Sequence, residues 1–421
     1  MAVAGLLAAG HAGADDLLQV WAQARAADPL LRQAAAFSGA QDAAAREARA
    51  ALLPQWRLDA SEQRENGAAG GRVRTATSSL SQPLFDLAAL RTWDASLSEA
   101  SAQLARLAAA EQGARARVAE AYFGLLSAQA QLDTARANEE AFARQVSEAD
   151  TRFKAGLSAQ VEADQSRAYR ELARGSTLAA ELALADAREA LAQVTGAAPA
   201  RLQPLRRDLP AQPLPDDAEA WSQRALQGNP GLRALQRDVQ AGDQRISAAR
   251  AGHLPTLSLG VDTTQRRGDG VPALDAGRTP TLIGLRLSVP LFAGGAVAAA
   301  ADRAAFQRDA AREQLEAGRR AVLREVRAQH AAVSQGEAQL RATQAAVEAA
   351  ERALEATRTG LTLGTRSTTD LLLSIQTLAG AQNAQTQARH RHVLALLALH
   401  QAAGSLGDPE LAAVNALLEK P

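Results

Sequence analysis

The feature that most constrains this chain is that it is written twice. Asp28-Pro29-Leu30-Leu31-Arg32 recurs 201 residues later as Asn229-Pro230-Gly231-Leu232-Arg233, and Pro54 recurs at the same shift as Pro255. Pro83-Leu84-Phe85 recurs as Pro290-Leu291-Phe292 at a shift of 207, and Gly156 and Glu162 recur as Gly364 and Asp370 at 208. Self-similarity at a fixed period restricts a fold to two copies of one plan. The shift grows mainly between Pro54 and Pro83, so that segment accepts extra residues in the second copy, as an exposed loop does. The duplication divides the chain into a first repeat at 15–195, a proline-rich linker at 196–217, a second repeat at 218–403 and a tail at 404–421. Pro199, Pro204, Pro210, Pro213 and Pro215 exclude a single helix through the linker.

Each repeat has the same order of parts. A helical segment comes first, from about Leu17 to Leu53 and from about Ala218 to Leu254, each closed by a proline that disfavours helix in the residue before it. Two strand-like stretches follow around a loop, then a very long helix, a glycine turn and a returning helix. The long helix carries a heptad. Stepping by seven from Leu97 passes Leu104, Val118, Leu125, Leu132, Val146 and Phe153, with Glu111 and Glu139 the exceptions. Stepping from Ala100 passes Leu107, Ala114, Ala121, Ala128, Ala135, Phe142 and Ala149. Small residues at one seam position let helices approach closely. Val326, Val333, Leu340, Val347, Leu354 and Leu361 repeat the first series.

The strands alternate in a particular sense. Ile283, Leu285, Leu287 and Val289 share one face, and Gly284, Arg286 and Ser288 the other; Leu282 is out of pattern. Leu257, Leu259 and Val261 alternate with Ser258, Gly260 and Asp262, as Trp56, Leu58 and Ala60 do with Arg57, Asp59 and Ser61. Val73 to Gln82 is a weaker stretch of mostly Ser and Thr. Apolar-out, polar-in alternation is the pattern of a membrane barrel strand. Pro54, Pro83, Pro255 and Pro290 mark the junctions of strands and helices, and Phe85 and Phe292 stand where an interfacial aromatic belt would lie. No run of 18 apolar residues exists, so a membrane crossing would have to be a closed barrel. Four strands per chain are too few to close one, which requires an oligomer. The loops at Gln265–Pro280 and Asn66–Arg72 are expected on the outer side.

Other chemistry is thinly represented. Lys plus Arg (46) balances Asp plus Glu (46), which gives no basic field for nucleic acid. Cysteine is absent, which removes disulfides, thiolate metal sites, Cys nucleophiles and a lipid anchor on Cys. His390 and His392 are two apart on a predicted helix and face different ways, so no metal site is expected. No catalytic motif and no cofactor-binding motif appears, and the chain reads as a non-enzyme. Residues 1–14 read as a signal-peptide remnant, with Ala12-Gly13-Ala14 in the small-x-small form of a cleavage site.

The motifs Asn229-Pro230, Gly252-His253-Leu254-Pro255-Thr256-Leu257, Pro290 to Gly295, Arg152 to Leu157 and Gly364 to Asp370 resemble, in this order and duplicated, the TolC family of outer-membrane factors. The resemblance runs from about Asp15 to Lys420. It implies a mixed α and β fold, with long antiparallel α-helical hairpins forming an α-barrel and four membrane β-strands per chain forming a trimeric twelve-stranded barrel. The linker and the tail would form a belt around the α-barrel. It implies a channel-tunnel in the outer membrane of a Gram-negative bacterium, reaching into the periplasm and passively conducting drugs or proteins for efflux or type I secretion. The implied partners are two further copies of the chain, outer-membrane lipid, a periplasmic adaptor and an inner-membrane RND or ABC transporter. The alternative is a periplasmic coiled-coil adaptor or scaffold without a barrel.

By the same resemblance, the turns at Gly156 and Gly364 lie at the periplasmic tip. Arg366 would meet Glu162 as a closing ion pair, and Asp370 would project into the entrance as one of a ring of three carboxylates. Asp370 also fits a capping box with Ser367. Leu373 stands where a second entrance acid is expected, and Leu361 where an aromatic is expected.

Overall fold

A computed structural model describes residues 14–64, 71–197, 201–206, 208–209, 216–269, 271 and 277–419. The signal-peptide remnant (all but Ala14), four of the five linker prolines and much of both strand-connecting loops lie outside the described residues.

The opening segment of each repeat, predicted as one helix, is two. Helices α1 (Leu17–Ala27) and α2 (Pro29–Ala50) meet at Asp28, α3 is Leu87–Lys154, and the opening segment of the second repeat is broken in the same way at Asn229. Asp28 and Asn229 are extended, with ψ of 114° and 119°, because the proline ring that follows excludes them from the α region. Each proline then starts the next helix, where its missing N–H costs nothing. Asp28 is buried and ion-paired with Arg117 of α3 at 2.7 Å.

After α3 the chain returns as α4 (Gln160–Thr195), and the second repeat supplies α5 (Ala218–Gly228), α6 (Pro230–Ala251), α7 (Ala296–Thr362) and α8 (Thr368–Ala403). A last helix, α9 (Asp408–Asn415), lies in the tail and was not foreseen. With 68 residues, α3 is about 100 Å long. The described residues form two compact units: 1–32, 109–229 and 321–421 make one, and 33–108 with 230–320 make the other.

The first unit holds the apolar cores. Val118, Leu125 and Leu132 of the heptad are buried with Leu17, Trp21, Leu191, Val393 and Leu411. Val326 and Val333 are buried with Trp221 and Leu399. The linker and the tail are stitched together here: Leu205 bridges Leu418, Asp15 bridges Leu202, and Asn415 exchanges hydrogen bonds with Leu17 and Asp16. Tyr122, fully buried on α3, donates its hydroxyl to the Gln203 carbonyl at 2.8 Å and fixes the linker to the long helix.

The second unit holds the sheet. Strands β1 (Gln55–Arg64), β2 (Arg72–Phe85), β3 (Thr256–Arg267) and β4 (Thr281–Ser288) are antiparallel in the order β1-β2-β3-β4. The two hairpins therefore join through β2 and β3, far apart in sequence. The Ser/Thr-rich stretch that read as the weakest strand is the longest, at 14 residues, and pairs on both sides. Pro83 lies inside β2 at a register shift, where a residue without an N–H interrupts the ladder least. Pro54 and Pro255 immediately precede β1 and β3, and Pro290 follows β4.

Residues directly opposite in an antiparallel pair share a face. Trp56, Leu80, Val261 and Ile283 thus form one row across all four strands. Leu58, Leu259, Leu285, Leu257 and Leu287 flank it on the same face, and Trp56 and Ile283 are 79% and 68% exposed. Arg57, Ser79 and Asp262 lie on the other face. The apolar rows run from Ala60 to Leu257 and cover about 27 Å along the strands. In the same unit, Gly242 of α6 lies under Arg308 of α7, whose guanidinium pairs with Asp243 at 2.9 Å.

Candidate functional site at the helical turns

The glycine turns are built alike. Gly156 (φ 71°) and Gly364 (φ 74°) adopt the left-handed conformation that ends a helix. Leu157 N–H reaches back to the Arg152 carbonyl at 2.8 Å, and Thr365 N–H to the Gly360 carbonyl at 2.8 Å, the same closure 208 residues apart. Beneath the turns, Phe142, Ala173, Leu354, Leu371, Leu372 and Ile375 form a small buried core. Tyr169 stacks at 5.6 Å on Phe142, and Leu361 packs half-buried against this core. Leu373, by contrast, is exposed.

The returning helices start differently. Ser367 caps α8 and forms a reciprocal box with Asp370, whose carboxylate accepts from the Ser367 N–H at 3.0 Å. Those bonds from Ser367, with a smaller contribution from Arg366, hold the Asp370 carboxyl below the usual range for aspartate. The first repeat has Ala159 at the cap, with no side-chain oxygen to offer. Its acid, Glu162, instead turns to the other hairpin and accepts from the Thr368 hydroxyl at 3.1 Å. Thr369 donates likewise to the Gln165 side chain at 3.1 Å. Two hydroxyl contacts thus clasp α4 to α8 beside the turns.

The ion pair expected between Arg366 and Glu162 is absent from the ion pairs of the described residues within one chain; Thr368 occupies the Glu162 carboxylate instead. Arg366 is exposed, and its aliphatic stem lies over Gly360, where an added Cβ would come within 2.6 Å of Cγ. Glu162, Arg366 and Asp370 all lie beside the turns, and within one chain the Glu162 carboxylate is held by Thr368. Thr368, Thr369 and Gln165 were missed. Their signal was the Thr-Thr pair after Ser367, which reads as helix start alone.

The histidines point apart. His390 meets Ser127 of α3, and burial, with Arg389 nearby, pushes its pKa down to about 4. His392 lies against Gly336 of α7, and His400 packs edge-on to Trp221 at 5.1 Å. Among the described residues, no group of three or more His, Asp or Glu side chains is arranged to hold a metal ion.

The family profile described as "Outer membrane efflux protein" matches residues 20–197 and 221–405, one match for each repeat. The chain belongs to this family. It is 32% identical to outer membrane protein TolC of Vibrio cholerae over 96% of this chain and 94% of that one. It is 29% identical to the alkaline protease secretion protein AprF of Pseudomonas aeruginosa over 81% of this chain and 72% of that one. Its fold is similar to that of CusC, with a TM-score of 0.83, 19% identity and coverage of 94% of this chain and 95% of that one. This TolC-family protein is an outer-membrane channel for efflux or type I secretion, with a periplasmic extension. The reading as a periplasmic scaffold without a barrel is set aside. No helix among the described residues is long and apolar enough to cross a membrane.

Proposed function

We propose that three copies of the chain close a twelve-stranded barrel in the outer membrane, and that their helical hairpins continue it as an α-barrel duct conducting cargo passively. The sheet is the observation that carries this reading. Its apolar face spans four strands, yet β1 and β4 are open edges, and unpaired edge groups in lipid cost several kcal/mol each. Joining the β4 edge of one copy to the β1 edge of the next satisfies both; three copies follow the family pattern. The helices support it too. Leu90, Leu97 and Leu104 of α3 are exposed at heptad spacing, as are Val161, Ala168, Leu172, Gly175, Ala179 and Leu182 of α4. Such seams suit helices of a neighbouring copy.

In this reading the turns at Gly156 and Gly364 form the periplasmic entrance, where an adaptor and an inner-membrane RND or ABC transporter dock. Asp370 contributes to a ring of three carboxylates. Arg366, exposed and in no ion pair among the described residues, latches to Glu162 of the neighbouring copy while Thr368 holds that carboxylate in place.

Mass measurement in mild detergent tests the assembly. The expected mass is near three times 43.9 kDa, less any processed leader. A monodisperse, detergent-independent monomer refutes the barrel.

A further inference from the structure

The apolar face of the sheet changes character at the end where the strands are joined by loops. One row beyond Ala60, Ala76 and Gln265 stand Glu62, Arg74 and Arg267, and beyond those Arg64 opposite Arg72. All five charged residues share the face of Trp56 and Ile283, since each is in register with that set. Glu62 is bound by Arg74 at 2.8 Å and Arg72 at 3.0 Å. Arg64 and Arg267 have no ion-pair partner among the described residues, so this face carries four guanidinium groups against one carboxylate. A depression of about 330 Å³ opens here, lined by Ala60, Glu62, Arg74, Ala76, Gln265 and Arg267. The alanines form its floor, and Arg74 and Arg267 are neighbours across β2 and β3.

A cluster of arginines on a lipid-facing surface is tolerated near the membrane interface and disfavoured at the midplane. The cluster therefore sets the apolar rows in the hydrocarbon and the arginines at headgroup level. There an unpaired guanidinium has an obvious anion, because its planar donor fork matches phosphate oxygens. Glu62 fixes Arg72 and Arg74 and cancels one charge, which leaves an excess of positive charge beside the depression.

We infer that this depression is a binding site for a phosphorylated lipid of the outer leaflet. Its phosphate sits between Arg74 and Arg267, with Arg64 and Arg72 completing the charge, and its acyl chain descends over Ala76 and Ala60 towards Leu58. This site rests on the barrel reading, which turns the apolar face to lipid and the loop end of the strands outward.

The test uses the full chain purified in dodecyl maltoside and titrated with diphosphorylated lipid A, with retained lipid counted by native mass spectrometry. The variant carrying Arg74→Ser and Arg267→Ser is compared with Arg267→Ser alone, which breaks no ion pair among the described residues. Arg266→Ser, in register with Thr75 on the polar face, is the control. Retention should fall about tenfold in the double variant and less in the single one, and remain unchanged in the control. A phosphate-free analogue should be held weakly and equally by all. Undiminished retention in the double variant with an intact trimer overturns the site alone, as does equal binding of the phosphate-free analogue. A wild-type protein without a trimer in the same spectra overturns the barrel and the site together.

Discussion

Replacing Thr368 with valine should loosen the helical turns without disturbing the helices that carry them. The side chains are nearly isosteric, and Thr368 follows the Ser367 cap, so the box between Ser367 and Asp370 survives. What is lost is the hydroxyl donated to the Glu162 carboxylate at 3.1 Å. A hydrogen bond to a charged group contributes about 1.5–3 kcal/mol, but Glu162 is only half-buried, and water recovers part of it. About 1 kcal/mol per chain remains. In the proposed trimer three copies give about 3 kcal/mol, which would shift a two-state entrance about a hundredfold towards its open form. Thr369→Val removes an exposed neutral bond to Gln165 and should shift it by about tenfold or less. Single-channel recording in planar bilayers reads both, as the fraction of time in the high-conductance state. A Thr368→Val channel indistinguishable from wild type in an intact trimer, or a larger effect from Thr369→Val, refutes a clasp between Glu162 and Thr368.

Arg366→Ser should also raise conductance, and equal conductance would leave Arg366 outside the latch. Asp370→Asn should weaken cation selectivity and block by polyvalent cations, because three carboxylates at one level act as a focused ring; unchanged reversal potentials in asymmetric salt would reduce Asp370 to a helix cap. Tyr122→Phe leaves the Gln203 carbonyl short of a buried donor, at a cost of about 1–2 kcal/mol, and should speed amide exchange across residues 201–206. His390 should make the helical unit acid-sensitive. Its folded pKa of about 4 lies below the ordinary 6.5, so the unfolded chain binds the extra proton and stability is complete only above pH 6.5. About 3 kcal/mol per chain should drain away as the pH falls towards 4, and thermal melts of His390→Gln should show a flatter pH profile.

The parts of the fold that were legible in the sequence are those where one period dominates. The heptad at Val118, Leu125 and Leu132 appears as buried core, and the alternation at Trp56 and Leu58 as one sheet face. The break at Asp28 was visible in the Asp-Pro pair, but helical periodicity on both sides masked it. The position of β2 was hidden for another reason. Its Ser and Thr residues say little about burial, and its central place comes from pairing with β3, a contact between segments about 180 residues apart that leaves no local pattern. Helix α9 and the stitched linker are invisible likewise, since Leu205 and Leu418 meet only in the folded chain. At the turns the glycines announce themselves by their conformation. The Glu162 contact does not, because a charge in sequence suggests an opposite charge, while in the fold the nearer hydroxyl takes it.

The duplication also explains why that contact exists. Equivalent positions began with equivalent residues, so an acid at the third position of each returning helix had one natural use, to close a box with its own cap. The second repeat retains this use, with Ser367 and Asp370. In the first repeat the cap is Ala159, which offers no oxygen, and the acid is the longer Glu162. One added methylene and one missing hydroxyl free that carboxylate to cross to α8. The same divergence appears along the helices. The exposed series Val161, Leu172 and Leu182 on α4 corresponds to Thr369, Gly380 and His390 on α8, so only one of the two returning helices presents an apolar outer seam. A duplicated chain with identical halves would bring alike surfaces together around a ring and gain nothing from distinguishing them. These halves differ at the cap, at the acid and along the outer seam, so α4 alone of the two returning helices offers the apolar seam that the proposed assembly uses, while α8 carries the capped acid.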